Sequence, residues 1–105
     1  MYRVTTPEHV FTLPEDSSAY SVIQIAYKQR SKKLTKTCRG DDVPTGVVVS
    51  GNTVTVDLTQ EETKQFGAGE CSVQVRVLTT GGKAYASDKF YFDIADVNNE
   101  EILKP

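Results

Sequence analysis

Apolar and polar side chains alternate with a period of two along most of the chain, the mark of strands with one buried face. The run 20–30 is the longest, with Ile23, Ile25 and Tyr27 on one face and Gln24, Ala26 and Lys28 on the other. Residues 53–58 repeat the pattern with Val54, Val56 and Leu58 inward, and 71–80 do so with Cys71, Val73, Val75 and Val77. Shorter strands are expected at 9–13, 33–38 and 47–49, bounded by Pro14, by Ser31-Lys32 and by the loop Gly40 to Gly46. Ser50-Gly51-Asn52 and Gly81-Gly82 read as tight turns. A last strand, 83–94, carries Phe90, Phe92 and Ile94 inward, and its alternation breaks near Asp88-Lys89, which predicts a bulge or bend.

One segment departs from this period. Thr59-Gln60-Glu61-Glu62 fits a capping box, with Thr59 accepting from the N–H of Glu62 and Glu62 reaching back to the N–H of Thr59. A helical turn or two to about Phe66 follows, closed by Gly67 and Gly69, with Phe66 packing the turn on the sandwich edge. Seven strands and one short helical turn between the fifth and sixth predict an all-β, immunoglobulin-like two-sheet β-sandwich over residues 1–95. Residues 96–105 form an acidic C-terminal tail, read as a short helix or a tether.

Composition agrees. Thirteen Val, four Ile and twelve Thr stand against five Leu and six Ala, and β-branched side chains suit a pleated surface. With 105 residues, 38% hydrophobic and 25% charged, the chain is one small globular domain with no room for a second. The net charge of −2 argues against nucleic acid as partner. No apolar run approaches the length of a membrane span, and the first residues lack the apolar stretch of a signal peptide.

The charge is uneven. Lys28, Arg30, Lys32, Lys33, Lys36 and Arg39 hold half of the twelve basic residues, and no acid lies between Asp16 and Asp41. Asp93, Asp96, Glu100 and Glu101 make the end of the chain acidic. The basic hairpin and the tail acids Asp96, Glu100 and Glu101 are therefore the candidate docking surface. Lysines on an edge strand also block strand-to-strand aggregation, a purely structural reading of the same residues.

Candidate chemistry is sparse. His9 is the single histidine and reads as a solvated or capping side chain. Asp41-Asp42 reads as a solvated loop, and metal sites call for more ligands than this chain groups together. Cys71 reads as a small buried hydrophobe; in such a sandwich the third and sixth strands are expected to be neighbours, which brings Cys38, at the end of the third, within conceivable approach of Cys71, with a disulfide as the lesser reading. Glu61 and Glu62 suit the first turn of a helix. Neither Gly81-Gly82-Lys83 nor Gly67-Ala68-Gly69 has a phosphate-loop context. The five tyrosines are spread as core and rim residues rather than gathered as a binding platform. No enzyme activity, metal or cofactor is expected.

Three segments carry a resemblance: Thr5 to Pro14 (TTPEHVFTLP), Leu58 to Phe66 (LTQEETKQF) and Val73 to Ala84 (VQVRVLTTGGKA), the last followed by Ala86-Ser87. Together they resemble small Ig-like proteins encoded among structural genes of tailed phages and prophages of Gram-positive bacteria. More loosely, the chain is similar to the N-terminal domain of upper baseplate proteins of lactococcal phages. The resemblance implies a virion- or tail-associated structural protein, made in the bacterial cytoplasm, whose partners are other virion proteins or further copies of itself. A second reading is a module that recognises a host-surface glycan or protein through loops at one end of the sandwich.

Overall fold

The alternating runs fold as eight strands: β1 (Glu8–Thr12), β2 (Tyr20–Gln29), β3 (Lys32–Arg39), β4 (Val47–Ser50), β5 (Thr53–Asp57), β6 (Gly69–Thr79), β7 (Ala84–Ala86) and β8 (Phe90–Ile94). The computed structural model describes residues 1–105. A single α-helix, α1 (Gln60–Lys64), joins β5 to β6, and one 3-10 turn covers Ser17–Ala19. No helix is long and apolar enough to cross a membrane.

Two antiparallel sheets make a β-sandwich, as the alternation predicts. The smaller has the order β1-β5-β4, the larger β3-β2-β6-β7, with β8 continuing the β7 lane along β6. The expected seventh strand is thus two strands, parted where the alternation breaks. At the break the Ser87 N–H donates to the Val75 carbonyl (2.8 Å) and the Ser87 hydroxyl accepts from the Val75 N–H (3.0 Å). A side chain thereby completes the ladder where the backbone turns away.

The rows expected to face inward do so. Ile23, Ile25 and Tyr27 from β2 meet Val54 and Val56 from β5 and Cys71, Val73 and Val75 from β6 in one buried cluster. A register slip of one residue would turn each of these rows to solvent, so burial fixes the pairing. The capping box at Thr59 and Glu62 is present in both directions, at 3.1 and 2.9 Å. Phe66 goes further inward than expected, fully buried in the core rather than at its edge.

The lateral order differs from expectation. β2 pairs with β3 on one side and β6 on the other, so the third and sixth strands are not neighbours. The hairpin through Arg30 and Ser31 folds β3 directly back on β2, with Gln29 opposite Lys32. Cys38 lies opposite Ile23, whereas Cys71 precedes Ser72, which lies opposite Lys28. Cys71 is thus level with Gln29, six strand positions from the Ile23 row, about 20 Å, far beyond the reach of about 7 Å between Cα atoms that a disulfide allows. Both thiols are free and buried.

Residues ahead of β1 are ordered into the sandwich. The Met1 amino group donates to the Asp93 carbonyl, Ala95 N–H to Met1, and Arg3 N–H to Ala95. Tyr2 and Ala95 form a parallel bridge, which places this short segment along the outer edge of β8.

Candidate functional site

The basic hairpin occupies an outer edge, because β3 ends the larger sheet. Lys28 and Lys33 lie opposite each other on its solvent face, Arg39 is further along that face, and Arg30 sits in the turn. Lys32 and Lys36 fall on the other face. Lys36 is not free for a partner: its Nζ lies 2.6 Å from Glu62 Oε2, with both side chains largely covered. Burial works to raise the Glu62 pKa, but Lys36 and the Thr59 N–H more than offset it, and the carboxyl ends below its ordinary value.

Two of the three tail acids are also engaged. Asp96 Oδ1 (2.8 Å) and Glu100 both pair with the Arg3 guanidinium. The same guanidinium donates to the carbonyls of Lys64 and Phe66, at the end of α1. Hydrogen bonding from Arg3 and then from the Val97 N–H lowers the Asp96 pKa. Further on, the Gln60 amide clasps Leu103 through its backbone N–H (2.8 Å) and carbonyl (2.9 Å). The tail is therefore strapped to the body without forming a helix. Of the expected surface, Lys28, Arg30, Lys32, Lys33, Arg39 and Glu101 are exposed and unpaired, Asp96 and Glu100 are exposed but paired with Arg3, and Lys36 is covered and paired with Glu62.

Similar two-way clasps tie the loops down. The Gln29 amide accepts from the Gly67 N–H (2.8 Å) and donates to the Gly67 carbonyl (2.7 Å). The fully buried Thr63 hydroxyl accepts from the Thr5 N–H (3.0 Å) and donates to the Thr5 carbonyl (2.9 Å). Each side chain stands in for a missing strand neighbour, as buried backbone groups require.

The most distinctive surface is one that alternation alone does not reveal. The larger sheet is four strands wide (β3, β2, β6 and the shared lane of β7 and β8), and the smaller is three wide. His9 of β1 packs on both Tyr27 and Phe92, whose strands flank β6, so β1 runs above β6. No strand lies above the β7–β8 lane. The result is a largely apolar groove of about 820 Å³ between β1 and β7–β8, with Val73, Val75 and Val77 lining it.

Burial along β8 records this geometry. Ile94 is buried, Phe92 half-buried and Phe90 55% exposed, although all three share the inner face. Phe90 was expected to be covered; its orientation is as expected and its cover is missing. Tyr85 of β7 and Val10 of β1 also line the groove and are each 58% exposed.

His9 is not the solvated or capping group expected from its position. Its Nδ1 lies 2.6 Å from the hydroxyl of Tyr27, which is fully buried. Burial, and then the positive N-terminus, push the His9 pKa down, so the imidazole is neutral at pH 7. Burial raises the Tyr27 pKa, so its phenol also stays neutral. The pair closes a polar gap in an apolar wall.

Asp41 and Asp42 are exposed in their loop, and no three or more His, Cys, Asp or Glu side chains gather at a possible metal position. The sequence signal for the groove was present in Tyr85 and Phe90. Its meaning depends on counting strand lanes, which needs the pairing. No protein-family model matches the chain, and no match is found among curated proteins.

Proposed function

We infer that the chain is a non-enzymatic docking module of a phage or prophage particle, virion- or tail-associated, that binds other proteins of that particle. The virion role rests on the resemblance of the three segments around β1, α1 and β6–β7. The docking role is carried by one observation, the uncovered apolar lane over β7–β8.

The size of that lane matters. Tyr85 and Phe90 each leave more than half of their surface in water. An aromatic side chain has about 200 Å² to bury, so covering this pair removes roughly 220 Å² from water, worth about 5 kcal/mol before the costs of association. Scattered exposed apolar residues are common, but a contiguous groove of this kind marks an interaction surface. The exposed cations of the β2–β3 hairpin lie across the larger sheet from the groove and suit a secondary, salt-sensitive contact.

Two measurements test this reading. Mass spectrometry of purified particles should find the chain at stoichiometric levels, and portal, terminase or tape-measure genes should stand beside its gene. A chain absent from particles, with no virion genes nearby, overturns the virion role.

A further inference from the structure

The groove has a wall of a particular kind. In the β1–β5 pair, the Leu58 N–H donates to the Pro7 carbonyl and the Leu13 N–H to the Asn52 carbonyl. These bonds set the parity of the ladder: Pro7, His9, Phe11 and Leu13 direct their backbone polar groups to β5. Glu8, Val10 and Thr12 must then direct theirs away from β5, to the free edge. None of those three N–H groups or three carbonyls has a partner within the chain, and all three residues line the groove. The groove is thus bounded by an unpaired strand edge above an uncovered strand lane.

We propose that the occupant is a single extended segment of another particle protein, added to β1 as the fourth strand of the smaller sheet. This rests on the docking reading and specifies its partner. A fourth strand would give both sheets the same width, cover Tyr85 and Phe90, and satisfy the six free backbone groups. Its inner side chains are apolar, because Glu8 is the one charged side chain among those lining the groove, the Met1 amino group is held by the Asp93 carbonyl, and His9 is neutral. Bulky apolar residues at every second position meet that demand, as in other strand-addition complexes. Pro7 and Pro14 flank β1, so the paired stretch spans about five residues, or roughly 17 Å.

A second copy of this chain is a poor occupant despite the free edge. The β1 of another copy is backed by its own larger sheet, where His9 packs on Tyr27 of β2 and Phe92 of β8. Placed beside β1 here, that backing would occupy the space already held by β7 and β8. The donated strand must come without a sheet beneath it, which describes a chain terminus or an extended linker.

Amide hydrogen exchange read by NMR tests the proposal residue by residue. In the protein alone, the amides of Glu8, Val10 and Thr12 should exchange fast and those of His9, Phe11 and Leu13 slowly. The probe is a pool of nine-residue peptides with Val, Ile or Phe at alternate positions and Thr, Ser or Lys between. Peptides that bind should slow exchange of the three edge amides at least tenfold. N-methylating one alternate set of peptide amides should abolish binding, and methylating the other set should not. Val10→Pro removes one edge N–H without touching a β1–β5 bond. It should weaken peptide binding at least tenfold, with the melting temperature of the free protein within a few degrees.

Four outcomes overturn the proposal: no peptide of the pool binds; peptides bind while the edge amides stay unprotected; both methylated sets bind equally; or the protein alone dimerises with those amides protected. Failure of the strand and failure of the docking role are separable. Unprotected edge amides in a complex with a particle protein sink the strand and keep the docking role. Absence of the chain from particles sinks the virion role and leaves the peptide result standing.

Discussion

Thr63 offers the sharpest test of how the N-terminal crossing is held. Its hydroxyl is fully buried in α1 and bonds both backbone groups of Thr5, at 3.0 and 2.9 Å. Thr63→Val keeps the shape and almost the same helix propensity, so neither a cavity nor an unfavourable helix residue confuses the result. It replaces the hydroxyl with a methyl that also keeps water from the Thr5 N–H and carbonyl. An orphaned polar group costs about 1–3 kcal/mol; two half-buried ones, less the small gain from an extra apolar contact, give about 2–3 kcal/mol. For a domain of this size that is a fall in Tm of roughly 10–15 °C.

Thr63→Ser is the control. It keeps both hydrogen bonds and loses one buried methyl, worth about 1 kcal/mol. The expected order of stability in urea melts is wild type, then Ser, then Val, and in the Val variant the Thr5 amide should exchange with solvent much faster. If Val is as stable as wild type, or Ser is the less stable of the two, the clasp is packing rather than hydrogen bonding and the reasoning fails.

Other perturbations have equally definite signs. The depressed His9 pKa means that the unfolded chain takes up a proton first, near the ordinary 6.5; stability should fall as pH drops below that value towards the folded pKa, and a urea titration of His9→Gln should lack this slope. Glu62 and Asp96, with lowered pKa values, should lose their contributions only as pH falls through the carboxylate range, which keeps the two windows apart. At Gly46, φ is +84° and an added Cβ would come within 2.6 Å of the Asp57 carbonyl oxygen, so Gly46→Ala should cost about 2–3 kcal/mol in a thermal melt. Gly40→Ala, with φ of +58° but open space around it, should cost about half as much. Arg3→Leu should release residues 97–105, read as fast backbone motion by NMR relaxation, while the core resonances stay in place. Burial raises the pKa of both Cys38 and Cys71, so iodoacetamide should label them slowly in the native protein and quickly in urea, and reductant should leave the melt unchanged.

Which parts of this structure were legible in the sequence follows from the range of the forces involved. The inward rows of β2, β5 and β6 are a period-two signal carried by each strand alone. The capping box at Thr59 and Glu62 spans four residues. Both could be read locally, as could the break near Asp88. The neighbour relation between strands is different, because alternation says which face is buried and nothing about who lies alongside. That is why alternation is equally compatible with β3 beside β6, and with a Cys38–Cys71 approach that the pairing excludes. Arg3 carried no signal at all: its partners Lys64, Phe66, Asp96 and Glu100 lie more than sixty residues away, with no local acid to suggest them. The half-buried place of His9 is illegible for a related reason. A lone polar residue on an alternating strand looks solvated until a buried phenol is known to lie opposite.

The two sheet edges at β3 and β1 explain each other. Hydrogen-bond parity in the β2–β3 pair, set by the Gly40 N–H on the Ser21 carbonyl, leaves Lys33, Thr35, Thr37 and Arg39 with outward backbone groups. That edge is as long as any in the molecule, and an incoming strand there must lie among Lys33 and Arg39, with Lys32 and Lys36 beneath. Charges of one sign along an open edge oppose strand addition. Part of the β8 edge is closed differently, by Met1–Arg3 in parallel. β4 is short, with four residues. β1 has none of these protections over Val10 and Thr12, and its single charge, Glu8, sits at one end. The cations at 28–39, which the sequence offers both as a docking surface and as edge protection, therefore oppose strand addition at β3. The same logic, applied to an edge whose one charge lies at its end and which runs beside an apolar lane, points to β1 as the place where a strand is admitted.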